Sequence, residues 1–301
     1  MNRTMTFAKR NLIELSRDAL GYIFCIAFPL VMLAVMSVVN ESIPAEAGMS
    51  TFRIDNLSGG IILFGHTFVM LFTAILVATD RTSSFLMRLF SSPMKSRDFT
   101  NGYMIPMVLI ALVQSVITLA ASLIIANMTG VELKIPGLLF AVLTSIPSAL
   151  MFISIGLIAG SLFTEKAAPG ICSVIVSVGT FLGGVFFDAE GVGGTIYKIC
   201  KCLPFIYCTK VGRCSIALDL SFDEFGKSLL IVSGAAVIAM ILAVLTFRTK
   251  MRTDKEDLFG RLLLHAPRKS LIIQIRAITR RFAAQDARCD SADQTRNRRE
   301  I

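Results

Sequence analysis

Three groups of residues put charged or reactive side chains at short spacing, and each implies a different chemistry. Between two long apolar runs, Asp80–Gly102 reads DRTSSFLMRLFSSPMKSRDFTNG and carries Arg81, Arg88, Lys95 and Arg97. Phe85, Leu86, Leu89 and Phe90 fall at i, i+1, i+4 and i+5, one face of a short helix. Asp80, Thr82 or Ser83 can cap its start, Ser91-Ser92-Pro93 stops it, and Ser96 reads as the cap of the helix that follows. A basic, one-sided helix in this position is either a docking surface for a cytoplasmic partner or a helix resting in lipid headgroups. The second group is Cys200, Cys202, Cys208 and Cys214. They are compatible with free thiols, with one or two disulfides in an oxidising compartment, or with a metal site, although C-x-C-x5-C-x5-C lacks the paired C-x-x-C form expected of zinc. The third group is His66 and Gln114, strongly polar residues inside apolar runs, which either line a path or pack helix against helix. His66 has one companion histidine, His265 in the tail, so packing is the simpler reading.

Other chemistry is missing from the sequence. It contains no G-x-x-x-x-G-K-[ST] phosphate loop, no H-E-x-x-H and no nucleophile elbow. The chain is therefore read as having no catalytic residues, no cofactor site and no ATP-binding site of its own. No Asp, Glu, Lys or Arg lies well inside an apolar run, which counts against a proton- or sodium-coupled carrier.

The elements that must position these residues follow from hydropathy. The chain has 301 residues, 54% of them hydrophobic, and a mean hydropathy of +0.70. A soluble core could not hide so much apolar surface, and a bilayer-crossing helix needs roughly 20 apolar residues. Six runs qualify as spans: Gly21–Val39, Gly59–Thr79, Tyr103–Asn127, Gly137–Phe163, Ile171–Phe187 (a short one) and Leu229–Phe247. The fold class predicted is all-α: a polytopic membrane protein with six transmembrane helices, an N-terminal interfacial helix and a re-entrant outer helical segment between spans five and six. Met5–Leu20 gives the interfacial helix, with Met5, Ala8, Leu12, Leu15 and Ala19 on one side and Lys9, Arg10, Glu14 and Arg17 on the other. No cleavable signal pattern precedes the first span, so that span is expected to be retained. The outer segment is Asp188–Lys227, expected as two short helices separated near Pro204. Gly156/Gly160 and Gly179/Gly183 each form G-x-x-x-G, a close-packing pattern.

Charge sets the expected orientation. Of the Lys and Arg residues, 23 fall on one side of this arrangement and 7 on the other, which puts both termini in the cytoplasm of a multi-pass plasma-membrane protein. The net charge of +9 reports topology here rather than a nucleic-acid partner. Three units result: an interfacial helix over 1–20, a six-span domain over 21–255 and a basic tail over 256–301. In the tail, Leu271–Phe282 is readable as an amphipathic helix and Ala283–Ile301 as disordered.

Taken together, these segments resemble the type-2 permease subunits of ATP-binding-cassette transporters over roughly Met5–Lys255. In that family the first inner loop begins with Glu-Arg, continues with Gly-Thr and leucines, and ends in Ser/Thr-Pro; here the corresponding residues are Asp80-Arg81, Ser83-Ser84, Phe85, Leu89 and Ser92-Pro93. The family's outer segment carries Asn-Pro, then a Tyr three residues on and an Arg six beyond it; here Leu203-Pro204, Tyr207 and Arg213 keep that spacing. Asp80 replaces Glu, the Gly-Thr is absent, Leu203 replaces Asn, and Lys210 stands where an acid is common. The resemblance implies an ATPase-coupling helix built on Asp80, Arg81, Phe85, Leu86, Arg88, Leu89 and Phe90, and an outer gate at Pro204, Tyr207 and Arg213. It implies separate ATPase subunits that hold ATP and Mg, a second permease subunit, and export of a drug-like, lipid or peptide cargo. An ion-coupled carrier and a non-transporting membrane scaffold are the rival readings.

Overall fold

In hydrocarbon an uncharged chain can satisfy its own backbone as an α-helix, and the apolar runs do so. The computed structural model describes residues 3–18, 21, 23–43, 51–82, 96–187 and 193–265, and every regular element among them is helical. In chain order these are α1 (Arg3–Leu15), α2 (Ile23–Ser42), α3 (Ile54–Thr82), α4 (Ser96–Thr129), α5 (Ile135–Leu162), α6 (Ala168–Leu182), α7 (Gly194–Cys202), α8 (Pro204–Ala217) and α9 (Lys227–His265). Prolines fall where their missing N–H is tolerated. Pro29 follows the wide opening turn of α2, and Pro147 restarts α5 after its break at Ser145. Pro106 lies inside α4.

α3 is the axis of the fold. Its apolar stretch is 78% buried, against 17% in α2 and 22% in the span that α9 completes. α5 crosses it closely because Gly156 and Gly160 have no side chains at the contact: a Cβ at Gly160 would stand 2.6 Å from the Ala74 carbonyl oxygen, and one at Gly156 would strike that of Met70. This G-x-x-x-G thus joins two helices of one chain. Apolar side chains such as Val31 and Val38 on α2, Val174 and Phe181 on α6, and Leu230 and Ile241 on α9 point outward. Outward apolar faces are what a multi-pass protein presents to lipid.

Among the described residues, five helices are long and apolar enough to cross a membrane: Ile23–Ser42, Ile54–Thr82, Asp98–Thr129, Ile135–Leu162 and Phe222–Lys250. The run expected as the fifth of six spans, Ile171–Phe187, forms α6, which has 15 residues. At 1.5 Å per residue that is about 22 Å, short of a hydrocarbon core of about 30 Å. It ends because Gly183 and Gly184 turn the chain, Gly184 at a φ of 66°. The outer segment does split at Leu203-Pro204 into α7 and α8, with α8 packed against the start of α3.

α1 differs from expectation in its buried face. Phe7, Ala8, Asn11 and Leu15 are buried, whereas Met5, Leu12 and Ile13 are exposed. The helix has apolar residues on two sides, and the side next to the protein is chosen by where Asn11 and Arg10 find partners. α9 continues past Lys255 to His265. The expected tail helix at Leu271–Phe282 and the segment after it lie outside the described residues.

Candidate coupling site

At the C-terminal end of α3, two neighbouring residues reach to different helices. Asp80 faces α1 and α4. Arg10 donates from Nη1 to Asp80 Oδ2 at 2.9 Å and from Nη2 to Oδ1 at 3.2 Å, and the Tyr103 hydroxyl donates to Oδ2 at 2.7 Å. Asp80 is 3% exposed. A carboxylate so deep needs a charged partner, since desolvation costs several kcal/mol per ion. Arg10 is the hub of the group: it also pairs with Glu14 at 2.7 Å and donates to Asn11 Oδ1 at 2.9 Å. Burial lowers the Arg10 pKa, but the hydrogen bond and charge of Asp80 more than reverse this, so its guanidinium stands above its ordinary value. Burial also lifts Glu14 above the usual carboxylate range, with Arg10 opposing.

Local sequence places this group. Phe7 lies one turn before Arg10 and packs edge-on to Phe99 and Tyr103, with centroids 5.7 and 5.0 Å away. Gly102 leaves the space that the Phe7 ring fills. Buried Asn11 donates from Nδ2 to the Gly102 carbonyl at 3.1 Å, and Thr4 donates to Asp98 at 3.0 Å. α1 is therefore fastened to the start of α4 along most of its length.

Arg81 turns the other way, toward α5. Its Nη1 donates to the carbonyls of Gly160 at 3.1 Å and Phe163 at 3.4 Å, and to that of Ser161. These belong to the last turn of α5 and its cap, where carbonyls lack helical partners and the helix dipole favours a cation. Thr82 adds a hydrogen bond to Glu165 at 3.0 Å. The loop that follows thus emerges from a frame of four helices: α1, α3, α4 and α5. Phe85, Leu86, Arg88, Leu89 and Phe90 lie outside the described residues. Asp80 and Arg81 link the end of α3 to α1, α4 and α5.

The profile described as ABC-2 type transporter matches residues 2–215 of the chain. The chain belongs to the ABC-2 type transporter family. No individual protein of curated function matches it significantly. The match runs from α1 into α8, so it contains the whole frame around Asp80 and Arg81. As a member of this family the protein is an ABC transporter permease with membrane-spanning helices, the component that is not itself catalytic.

The permease holds the opposite end of α3 differently. Arg213 on α8 donates from Nε to the Asn56 carbonyl at 3.1 Å and from Nη2 to the Gly184 carbonyl at 2.9 Å. Gly59 and Gly212 allow α3 and α8 to touch backbone to backbone; a Cβ on Gly59 would sit 2.7 Å from the Arg213 nitrogen. Pro204 opens α8, and the Tyr207 hydroxyl donates to the Lys201 carbonyl at 3.2 Å, bridging α8 to α7. Pro204, Tyr207 and Arg213 therefore share one helix but serve different contacts.

Between the two ends, His66 and Gln114 are fully buried packing groups. His66 lies 3.2 Å from both Ser148 Oγ, through Nδ1, and Ser115 Oγ, through Nε2, tying α3 to α5 and α4. The Gln114 amide occupies the space above Gly65 and donates from Nε2 to Thr118 at 3.1 Å. Cys200, Cys202, Cys208 and Cys214 are free thiols. On α8, Cys208 and Cys214 are six residues apart and so point to different sides of the helix.

Arg10 and Tyr103, the partners of Asp80, and Asn11, which bonds Arg10 and the Gly102 carbonyl, went unrecognised in the sequence as site residues. A faint signal was available: Arg10 and Asn11 are adjacent polar residues on the same stretch as buried Phe7 and Ala8. The serines flanking His66 carry no signal, since Ser and Thr occur throughout the spans.

Proposed function

We propose that this chain is the membrane-spanning subunit of an ATP-binding-cassette exporter. It forms the substrate path with a second permease subunit and is driven by separate ATPase subunits that bind ATP and Mg. Both termini and the loop after α3 face the cytoplasm, in keeping with the bias of 23 basic residues to 7. ATPase closure pushes on the loop helix, and the push travels through the end of α3 to α1, α4 and α5 as a rigid-body tilt. The observation that carries this reading is the frame at Asp80 and Arg81. A loop helix could not move four helices together unless they were joined where the loop leaves them. α7 and α8 close the far end of the path. The cargo is drug-like, a lipid or a peptide, which suits spans without charged residues.

The test is Leu89→Asp in the permease copurified with its ATPase subunits. The variant should insert and purify normally, with ATP hydrolysis no longer coupled to transport. Wild-type transport by Leu89→Asp would remove the loop helix from the mechanism. Transport that needs no ATP and collapses with an ionophore would favour an ion-coupled carrier instead.

A further inference from the structure

α7 turns one stripe to the protein and leaves two edges uncovered. Tyr197 and Cys200, three residues apart, form the inner stripe. Cys200 is fully buried and packs with Ile206 of α8, with Leu182 at the end of α6, and with Phe187. On one flank of this stripe Ile196 and Ile199 are 47% and 48% exposed. On the other flank Lys198 and Lys201 are exposed, so the apolar pair and the cationic pair lie on nearly opposite edges of the helix. A helix with one apolar edge and one basic edge is built to lie in a membrane interface. Its depth agrees. α6 begins just after Glu165 and Lys166 and, with 15 residues, covers about 22 Å of a hydrocarbon core of about 30 Å. Leu182, and α7 packed on it, therefore lie a little below the far headgroups. From that depth a lysine stem can run along acyl chains and bring its ammonium up to headgroup level, and Tyr197 is of the type enriched at that level.

The local charge indicates which lipid fits. Gly194–Ala217 holds Lys198, Lys201, Lys210 and Arg213 and no Asp or Glu. Lys210 and Arg213 have partners within the protein, and Arg53 and Lys227 pair with Asp55 and Asp223. Lys201 stands over the Tyr197 ring, 4.4 Å from its centroid, a contact that keeps the ammonium donors available to an acceptor. We propose that α7 is a binding surface for an anionic phospholipid of the surrounding bilayer. Ile196 and Ile199 enter the acyl chains, and Lys198 and Lys201 hold the negatively charged headgroup. A zwitterionic lipid carries its own cation beside the phosphate and gains less from the lysines. The Tyr207 hydroxyl bonds the Lys201 carbonyl, so a lipid held at Lys201 bears on α8 as well as α7. The inference needs only a membrane-embedded chain and is independent of cargo, direction and ATPase.

The chain contains no tryptophan, so Ile199→Trp provides a single fluorescent reporter at an exposed position. The full-length variant is placed in nanodiscs of mixed phosphatidylglycerol and phosphatidylcholine, with brominated acyl chains on one lipid at a time. Both brominated lipids should quench the tryptophan, and the relative affinity should favour phosphatidylglycerol about fivefold, as for one basic residue at an anionic membrane surface. Adding Lys198→Gln and Lys201→Gln should bring that ratio to about one, and high salt should lower it. Ile196→Trp repeats the measurement at the second apolar position, so the result does not hang on one variant. Quenching by neither lipid, at either position, would place this edge in water or under another protein chain and overturn the proposal. Equal affinity for the two lipids with both lysines intact, or a phosphatidylglycerol preference that survives their replacement, would also overturn it.

Discussion

The two ends of α3 are both held firmly, but by different means. At the Asp80 end the contacts are made by long side chains: Arg10 and Tyr103 on Asp80, and Arg81 on the carbonyls that end α5. At the Asn56 end the backbone itself makes contact, with Gly59 against Gly212, and Arg213 secures it. A glycine crossing has no side chain to reorient, so it keeps its geometry or fails. A side-chain joint can transmit force while its members swivel. The difference suits a lever, with a close pivot at one end and a jointed attachment at the end where the proposed ATPase push would act.

The largest expected effect comes from breaking the pivot. Gly59→Val would drive a branched side chain into the backbone at Gly212 and Arg213, and overpacking of this kind costs about 3 kcal/mol or more. Size-exclusion profiles should show mostly aggregated or misfolded protein; a monodisperse variant with wild-type melting would show that the crossing is loose.

The joint should respond less strongly and unequally. Arg10→Ala leaves buried Asp80 without its cation and should cost about 3 kcal/mol. Asp80→Ala leaves Arg10, whose side chain is 33% exposed and already bonded to Glu14, so its cost should be nearer 2 kcal/mol. The double variant should be no worse than Arg10→Ala alone. Unfolding in denaturant measures all three, and strictly additive losses would mean that the pair is not a unit.

How much of this was legible in the sequence depended on distance along the chain. The all-helical class, the long spans and the break at Pro204 follow from local composition and were readable. Asp80 and Arg81 were read as part of the coupling helix because they stand where the resembling family's loop begins with Glu-Arg. The Asp80 partners Tyr103 and Arg10 lie 23 and 70 positions away and the carbonyls that Arg81 bonds 79 or more, and no local pattern encodes that. α1 offered two apolar sides, and tertiary partners chose between them. The length of α6 was limited by a glycine turn at Gly183-Gly184 inside an otherwise apolar run, so hydropathy alone extended it too far.

The smallest effect belongs to a single hydrogen bond. Tyr103→Phe removes only the donor to Asp80 and should cost about 1.5 kcal/mol, as for a bond to a charged group. Thermal melts would resolve it, and a neutral result would leave Arg10 as the sole support of the carboxylate.

The central proposal is that the joint at Asp80 passes force from the segment after α3 to α1, and transport per ATP hydrolysed tests it most directly. Arg10→Gln, reconstituted with its ATPase subunits and normalised to folded protein, should hydrolyse ATP yet move about tenfold less substrate per ATP, within the range of measured coupling energies. A wild-type ratio in that variant would contradict the account.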